Sequence, residues 1–282
     1  MTAVDHEHKR AAEQELRRRL ADAGADNPER EAARLARAVD ARPDLDVDAV
    51  IAQRARGVPL GMILGTEEFM GIELEVAAGA LVPREETELL GRTAVARLQE
   101  LEPGRAPRVI DMCCGSGNLA VAIAVHVPAA RVWAADLTEP CVALARRNAA
   151  RAGVADRVEV VQGDLFEPLR DRGLEGTIDL VVCNPPYIST SRLEKGDRRA
   201  LLDHEPREAF DGGPFGLSIQ QRVVKVAADF LRPGGWLMFE FGLGQDRQMT
   251  ALFRRARVYD HIATVPDPDG NPRVAVASKK PL

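Results

Sequence analysis

Apolar residues recur every three or four positions through the first part of the chain. Beyond it they recur at every second position or run unbroken, so the predicted structure changes from helical to mixed strand and helix. Ala12, Leu16 and Leu20, then Ala32, Leu35 and Val39, stand among charged residues at helical spacing. Asn27-Pro28-Glu29 has the order of an N-cap, a first-turn proline and an acidic first turn. Asp44 or Asp46 is placed to cap a further helix through Ala49, Val50 and Ile51. The pattern predicts a small helical domain over residues 1–66.

Ile72, Leu74 and Val76 alternate with acidic residues, which predicts a strand within a hairpin linking the domains over 67–80. A helix is expected to grow out of Leu81–Leu90 and run to about Leu101, followed by a linker-like break at 102–107. Then strands and helices alternate. Strands are expected at Val109–Met112, Arg131–Asp136, Val158–Asp164, Ile178–Cys183 and Leu237–Phe241, with helices at Leu119–Val125, Glu139–Ala152 and Ser218–Leu231. A sharp turn is expected at Arg232–Trp236, and short strands near Tyr259–Val265 and Val274–Ser278. Alternation of this kind builds an α/β, doubly wound, mostly parallel sheet with helices on both faces, here over 81–282.

Composition narrows the class. The 282 residues are 45% hydrophobic and 29% charged, as in ordinary globular proteins. The net charge of −5 disfavours a nucleic-acid binder. Four cysteines, Cys113, Cys114, Cys141 and Cys183, with no C-x-x-C, are no disulfide framework and have no zinc-ligand spacing. No uncharged apolar run approaches the roughly 20 residues of a membrane span, and the charged N-terminus has no signal-peptide pattern. A cytoplasmic protein without membrane or metal is expected.

The chemistry lies at strand ends, where doubly wound sheets bind ligands. Asp111 opens the glycine-containing turn Cys113-Cys114-Gly115-Ser116-Gly117, Asp136 ends the second strand of the sheet, and Asp164 ends the third. An acid ahead of the turn, with no phosphate-cradling G-x-G-x-x-G, suits a cationic cofactor without phosphate, S-adenosyl-L-methionine. The fourth strand ends in Asn184-Pro185-Pro186-Tyr187. An amide followed by two prolines gives a rigid corner rich in acceptors. With Tyr187 as a flat face, it is suited to grip a planar group carrying an NH₂.

On these residues the chain resembles the HemK/PrmC-type protein-(glutamine-N5) methyltransferases. The resemblance extends to Glu68-Phe-Met-Gly71, Val82-Pro-Arg-Glu-Glu-Thr-Glu88, Glu205-Pro206 with Asp211-Gly-Gly213, and Arg232-Pro-Gly-Gly-Trp236. It implies a class I S-adenosylmethionine-dependent methyltransferase domain behind a helical domain that docks a peptide chain release factor. By the same resemblance Asp111, the loop Cys113–Gly117, Asp136 with Leu137, and Asp164 with Leu165 hold the cofactor. Asn184 and the Pro185 carbonyl hold the glutamine amide, Tyr187 packs on it, and Phe69, Met70, Arg84 and Pro186 line the approach.

The chain departs from the family pattern at Cys113 and Cys114, where Gly and Thr are usual. It departs again at Met70, usually Trp, and at Glu85, usually Pro. The last two lie where substrate is expected to enter, which leaves open a paralogue acting on another amide or amine, including a small molecule. Two rival readings are an adenine-N6 nucleic-acid methyltransferase using the same corner and a non-catalytic protein that keeps the fold.

Overall fold

The computed structural model describes residues 3–102, 104–195 and 201–281, and the chain divides into two compact units, Met1–Glu67 and Glu68–Leu282. The first unit holds α1 (Ala3–Asp22), α2 (Pro28–Ala41), α3 (Val47–Arg54) and α4 (Leu60–Leu64). Asn27 Oδ1 accepts from the Arg30 amide at 3.1 Å and starts α2, and Pro28 costs nothing at a position whose amide has no helical partner. Asp46, not Asp44, starts α3 by accepting from the Ala49 amide. The inward faces meet in a core of Leu20, Ala32, Leu35, Val50, Leu60 and Leu64. The buried Arg34–Glu67 pair, at 2.7 Å, closes it.

Strand β1 (Thr66–Phe69), through which the boundary runs, pairs with β2 (Ile72–Glu75) in a two-stranded sheet. Then follow α5 (Glu88–Gln99), β3 (Arg108–Met112), α6 (Asn118–His126), β4 (Arg131–Asp136), α7 (Glu139–Arg151), β5 (Val158–Gln162), β6 (Ile178–Cys183) and α8 (Thr190–Glu194). The chain ends with α9 (Ser218–Phe230), β7 (Leu231–Glu240), α10 (Asp246–Ala256), β8 (Tyr259–Pro266) and β9 (Pro272–Lys279).

The main sheet has the order β5-β4-β3-β6-β7-β9-β8, with β9 antiparallel to both of its neighbours and the first five strands parallel. Side chains alternate across it. Val109, Leu180 and Val182 face Leu90, Ala94, Leu119, Ile123 and Val142 of α5, α6 and α7. Ile110, Met112, Val181 and Cys183 face Val223, Ala227 and Phe230 of α9 and Met249 and Phe253 of α10. Strands buried on both faces read as unbroken apolar runs, which is why Leu180–Cys183 carries no polar residue. Strand order reverses between β3 and β6, and the loops after these two strands open a crevice there.

β6 is held at its start by Asp179. Its carboxylate accepts from the Arg108 amide at 2.9 Å and pairs with Arg105 and Arg232, each at 2.6 Å. Among the described residues no helix is long and apolar enough to cross a membrane.

One expectation changes. The Arg232–Trp236 turn is absorbed into β7 as an irregularity: Ile178 pairs with Leu231 and Leu180 with Trp236, and Gly235 packs against the Ile178 carbonyl where a Cβ would sit at 2.7 Å. Helix α5 grows out of the Leu81–Leu90 stretch as expected, starting at Glu88 after turns that follow Pro83. Helix α10 is an element added to the expected ones, with Met249 and Phe253 one turn apart and fully buried.

Candidate active site

A cavity of about 450 Å³ lies at the carboxyl ends of β3, β4 and β6. Its first wall is the loop after β3. Cys113 (φ +56°), Gly115 (φ +53°) and Gly117 (φ +78°) all adopt left-handed backbone, so the loop curls tightly. Gly117 also lets α6 approach α7, because a Cβ there would lie 2.9 Å from that of Ala145. From behind, the fully buried Asn148 of α7 donates to the Ser116 carbonyl at 2.9 Å. Its amide also bonds both backbone groups of Glu75 on β2, at 2.7 and 3.1 Å.

Asp136 joins the loops after β3 and β4. Its carboxylate accepts from the Gly115 amide at 2.9 Å and from the Thr138 amide at 3.1 Å, and it remains half-exposed in the cavity wall. Leu137, 58% exposed, stands beside it, and Leu165 and Asp164 form the next part of the wall. The exposed Asp164 pairs with Arg222 at 2.6 Å.

Asp111 is placed differently from expectation. It is fully buried, does not line the cavity, and accepts from the Ala120 amide of α6 at 3.0 Å. Its Oδ1 has no hydrogen-bond partner, and burial pushes its carboxyl up to about 8. Its position on β3 turns the side chain toward the start of α6, so it braces the loop from beneath.

The thiols nearby are quiet. Burial pushes Cys141 up to about 12 and drives Cys114 and Cys183 well above the ordinary thiol value. They act as small apolar side chains and not as nucleophiles.

The second wall is the corner after β6. Asn184 and Pro186 line the cavity, while Pro185 is buried beside them. Asn184 Nδ2 donates to Thr87 Oγ1 at 3.0 Å, and Thr87 Oγ1 donates to Glu240 Oε2 at 2.7 Å. Tyr187 does not line the cavity. Its hydroxyl donates to Glu240 Oε1 at 3.1 Å, and burial, then the Glu240 charge, pushes the phenol up. Glu240 is 1% exposed, with Arg273 at 3.5 Å, and burial pushes its carboxyl up to about 7.

The Asp211-Gly-Gly213 loop backs the corner. The Ile188 amide donates to the Phe210 carbonyl at 2.9 Å, the Gly212 amide donates to the Ile188 carbonyl at 2.8 Å, and Gly212 lies so close that a Cβ would sit 2.7 Å from the Pro186 carbonyl.

Across the cavity, Arg84 is held by the buried Glu205, whose other oxygen accepts from the Val82 amide at 2.9 Å. Pro206–Ala209 and Asp211 complete this side. Phe69 and Met70 do not line it. Phe69 is fully buried in the core, and Met70 packs on Gly91 of α5 while its amide donates to Glu88 at 3.1 Å. The pair closes β1 and turns inward onto α5, so the departure at Met70 is a core change and not a change of the cavity wall. Glu85 is exposed and also lies outside the wall.

Thr87, Glu205 and Glu240 had no assigned role from sequence. The available signal was an acid closing an apolar strand, Leu237-Met-Phe-Glu240, where burial of a charge calls for partners.

One side of the cavity offers two acids, a curled backbone loop and the leucines Leu137 and Leu165; Asp164 is already paired with Arg222, while Asp136 has no basic partner among the described residues. This set suits a nucleoside that carries positive charge and no phosphate. The other side offers a fixed amide, which suits a group with N–H bonds to give.

The family described as Methyltransferase small domain matches residues 93–217. A release factor glutamine methyltransferase of Geobacter sulfurreducens is 41% identical over 225 residues, 80% of this chain and 75% of that protein. A 4-amino-L-phenylalanine/4-methylamino-L-phenylalanine methyltransferase of Streptomyces pristinaespiralis is 38% identical over 218 residues, 77% of this chain and 72% of that protein. Among solved structures, a methyltransferase from Pyrococcus furiosus has a TM-score of 0.53 at 17% identity, over 82% of this chain and 99% of that one, a likeness of fold.

Proposed function

The chain belongs to the release factor glutamine methyltransferase family, and on that premise we propose the reaction of its cavity. A methyl group passes from S-adenosyl-L-methionine to the side-chain amide of the glutamine in the Gly-Gly-Gln loop of a peptide chain release factor. The observation that carries this reading is the sharing of one cavity by the Asp136 loop and Asn184 at the reversal of strand order.

Asp136 would accept from the ribose hydroxyls, Leu137 and Leu165 would sandwich the adenine, and Asp164 would accept from its amine. The curled backbone Cys113–Gly117 would carry the amino-acid part, with Asp111 bracing it from below. When bound, S-adenosyl-L-methionine supplies a methyl group on a positively charged sulfur that leaves as a neutral thioether. An amide nitrogen is a poor nucleophile because its lone pair is delocalised. Asn184 and the Pro185 carbonyl would accept its two N–H bonds and fix its direction, which supplies orientation. The same two acceptors favour the positive charge the nitrogen acquires as the sulfur–methyl bond breaks, and one of its N–H protons then passes to water, leaving the neutral methylated amide. Residues 1–67 would serve as the docking unit for the protein substrate, in the cytoplasm where release factors work.

The Streptomyces relative supports a second reading, an aromatic or other small amine held at the same corner. One experiment separates the two. Labelled S-adenosyl-L-methionine is incubated with a purified release factor, its Gln→Ala variant, and 4-amino-L-phenylalanine. Label on the wild-type factor alone supports the first reading. Label on the amino acid alone replaces it with the second. Label on neither, with the cofactor bound, removes both.

A further inference from the structure

We propose that Thr87, Glu240 and Tyr187 form a positioning relay that fixes which end of the Asn184 amide faces the substrate. The inference rests on the reading of Asn184 as the amide-holding residue.

The chain of hydrogen bonds has one direction only. An ionised carboxylate accepts and cannot donate. Glu240 therefore takes the Thr87 hydroxyl hydrogen on Oε2 at 2.7 Å and the Tyr187 hydroxyl hydrogen on Oε1 at 3.1 Å. With its hydrogen committed, Thr87 Oγ1 has only acceptor capacity left, and it takes the Asn184 Nδ2 hydrogen at 3.0 Å. The Asn184 nitrogen is thereby turned away from the substrate, and its Oδ1 is left for the cavity. That is the end of the amide that an incoming NH₂ needs. The reverse orientation would set donor against donor. Thr87 and Glu240 are each 1% exposed, so water does not substitute for either partner.

The relay depends on the charge of Glu240. A protonated Glu240 could donate to Thr87, which would free the threonine hydrogen for Asn184 Oδ1 and allow the amide to turn over. The charged and titratable groups facing Glu240 are Tyr187 after β6, Arg273 on β9 and Glu86 ahead of α5. Burial and Glu86 favour the neutral acid, while Arg273 and the two hydroxyls favour the charge, with the balance at about 7. Turnover at saturating substrate should therefore rise with pH through about 7.

The test uses the full chain with release factor and labelled S-adenosyl-L-methionine, and reads kcat, KM and cofactor affinity separately. Thr87→Val, which keeps the shape and loses the hydroxyl, should lower kcat about ten- to hundred-fold, in the range that a small misplacement of reacting groups costs. Cofactor affinity should stay within about two-fold, because Thr87 bonds Asn184 and Glu240 and not the Asp136 loop. Thr87→Ser should recover most of the rate. Glu240→Gln should flatten the rise in kcat around pH 7.

Wild-type kcat in Thr87→Val, with Asn184→Ala inactive, would overturn the relay and leave the proposed reaction standing. Full activity in Asn184→Ala would remove the reading of Asn184 and the relay with it. Persistence of the pH rise in Glu240→Gln would equally sink the relay. Should Thr87→Val not fold, Thr87→Ser and the Glu240→Gln profile decide alone.

Discussion

At Asp136 and Glu240 two buried or half-buried acids take opposite parts. Asp136 is ringed by amide donors and stays accessible to a ligand, whereas Glu240 is enclosed and served by hydroxyls. Replacing Asp136 with Ala should weaken cofactor binding by about 1–3 kcal/mol, the cost of losing a charged hydrogen-bond partner. Isothermal titration with S-adenosyl-L-methionine checks it, and an unchanged dissociation constant would take Asp136 out of the binding site.

For Glu240 the prediction is one of stability. Its folded-state value is raised from 4.5 to about 7, so the native state holds a proton that the unfolded chain releases in that window. Stability from this group is full below about 4.5 and declines as pH rises to about 7, by on the order of 3 kcal/mol at 1.36 kcal/mol per unit. Denaturant midpoints for the wild type and Glu240→Gln should therefore diverge across pH 4.5–7, with the wild type losing ground as pH rises. The cavity-lining places of Asn184 and Asp136 were legible because each follows or ends an apolar strand. The partnership of Asn184 with Thr87 and of Thr87 with Glu240 was not, because the pairs are 97 and 153 residues apart and no local pattern encodes them.

Among the elements, the parallel strands β3 to β6 follow the apolar runs closely, since burial on both faces leaves few alternatives. What the runs do not reveal is how near two elements may come. Gly117 reads as a glycine of the cofactor turn, yet it lies outside the cavity wall and its space is filled by Ala145 of α7. Gly117→Ala should cost about 1–3 kcal/mol through left-handed strain and overpacking. A fall in denaturation midpoint, with secondary structure retained by circular dichroism, is the expected result. A midpoint equal to the wild type would mean α6 and α7 can part freely. Phe69 and Met70 teach the converse. Their place in a resemblance block suggested a substrate channel, but their apolar side chains fill the core above α5 and α6.

The molecule as a whole is two units of unequal strength. The helical unit rests on one small cluster around Leu20 and Leu35, while the larger unit has apolar layers on both faces of its sheet. Opening should be easier where less apolar surface is buried. Amide hydrogens of α2 and α3 should exchange about ten-fold or more faster than those of β3 and β6, which corresponds to at least about 1.4 kcal/mol. Equal protection would show one cooperative block. The sequence made this division visible as a change of apolar period near residue 66, but the period carries no measure of relative strength. The clamp at Asp179 has a mechanical meaning. Strand β6 is seized at its first turns of chain by Arg105, Arg108 and Arg232, and at its far end by Thr87 through Asn184. It is a beam on two supports, roughly 17 Å long at about 3.3 Å per residue, and too stiff to stretch. The reacting amide is thus gauged from the opposite rim of the sheet, where loosening one arginine would shift the calibration of a site it never touches.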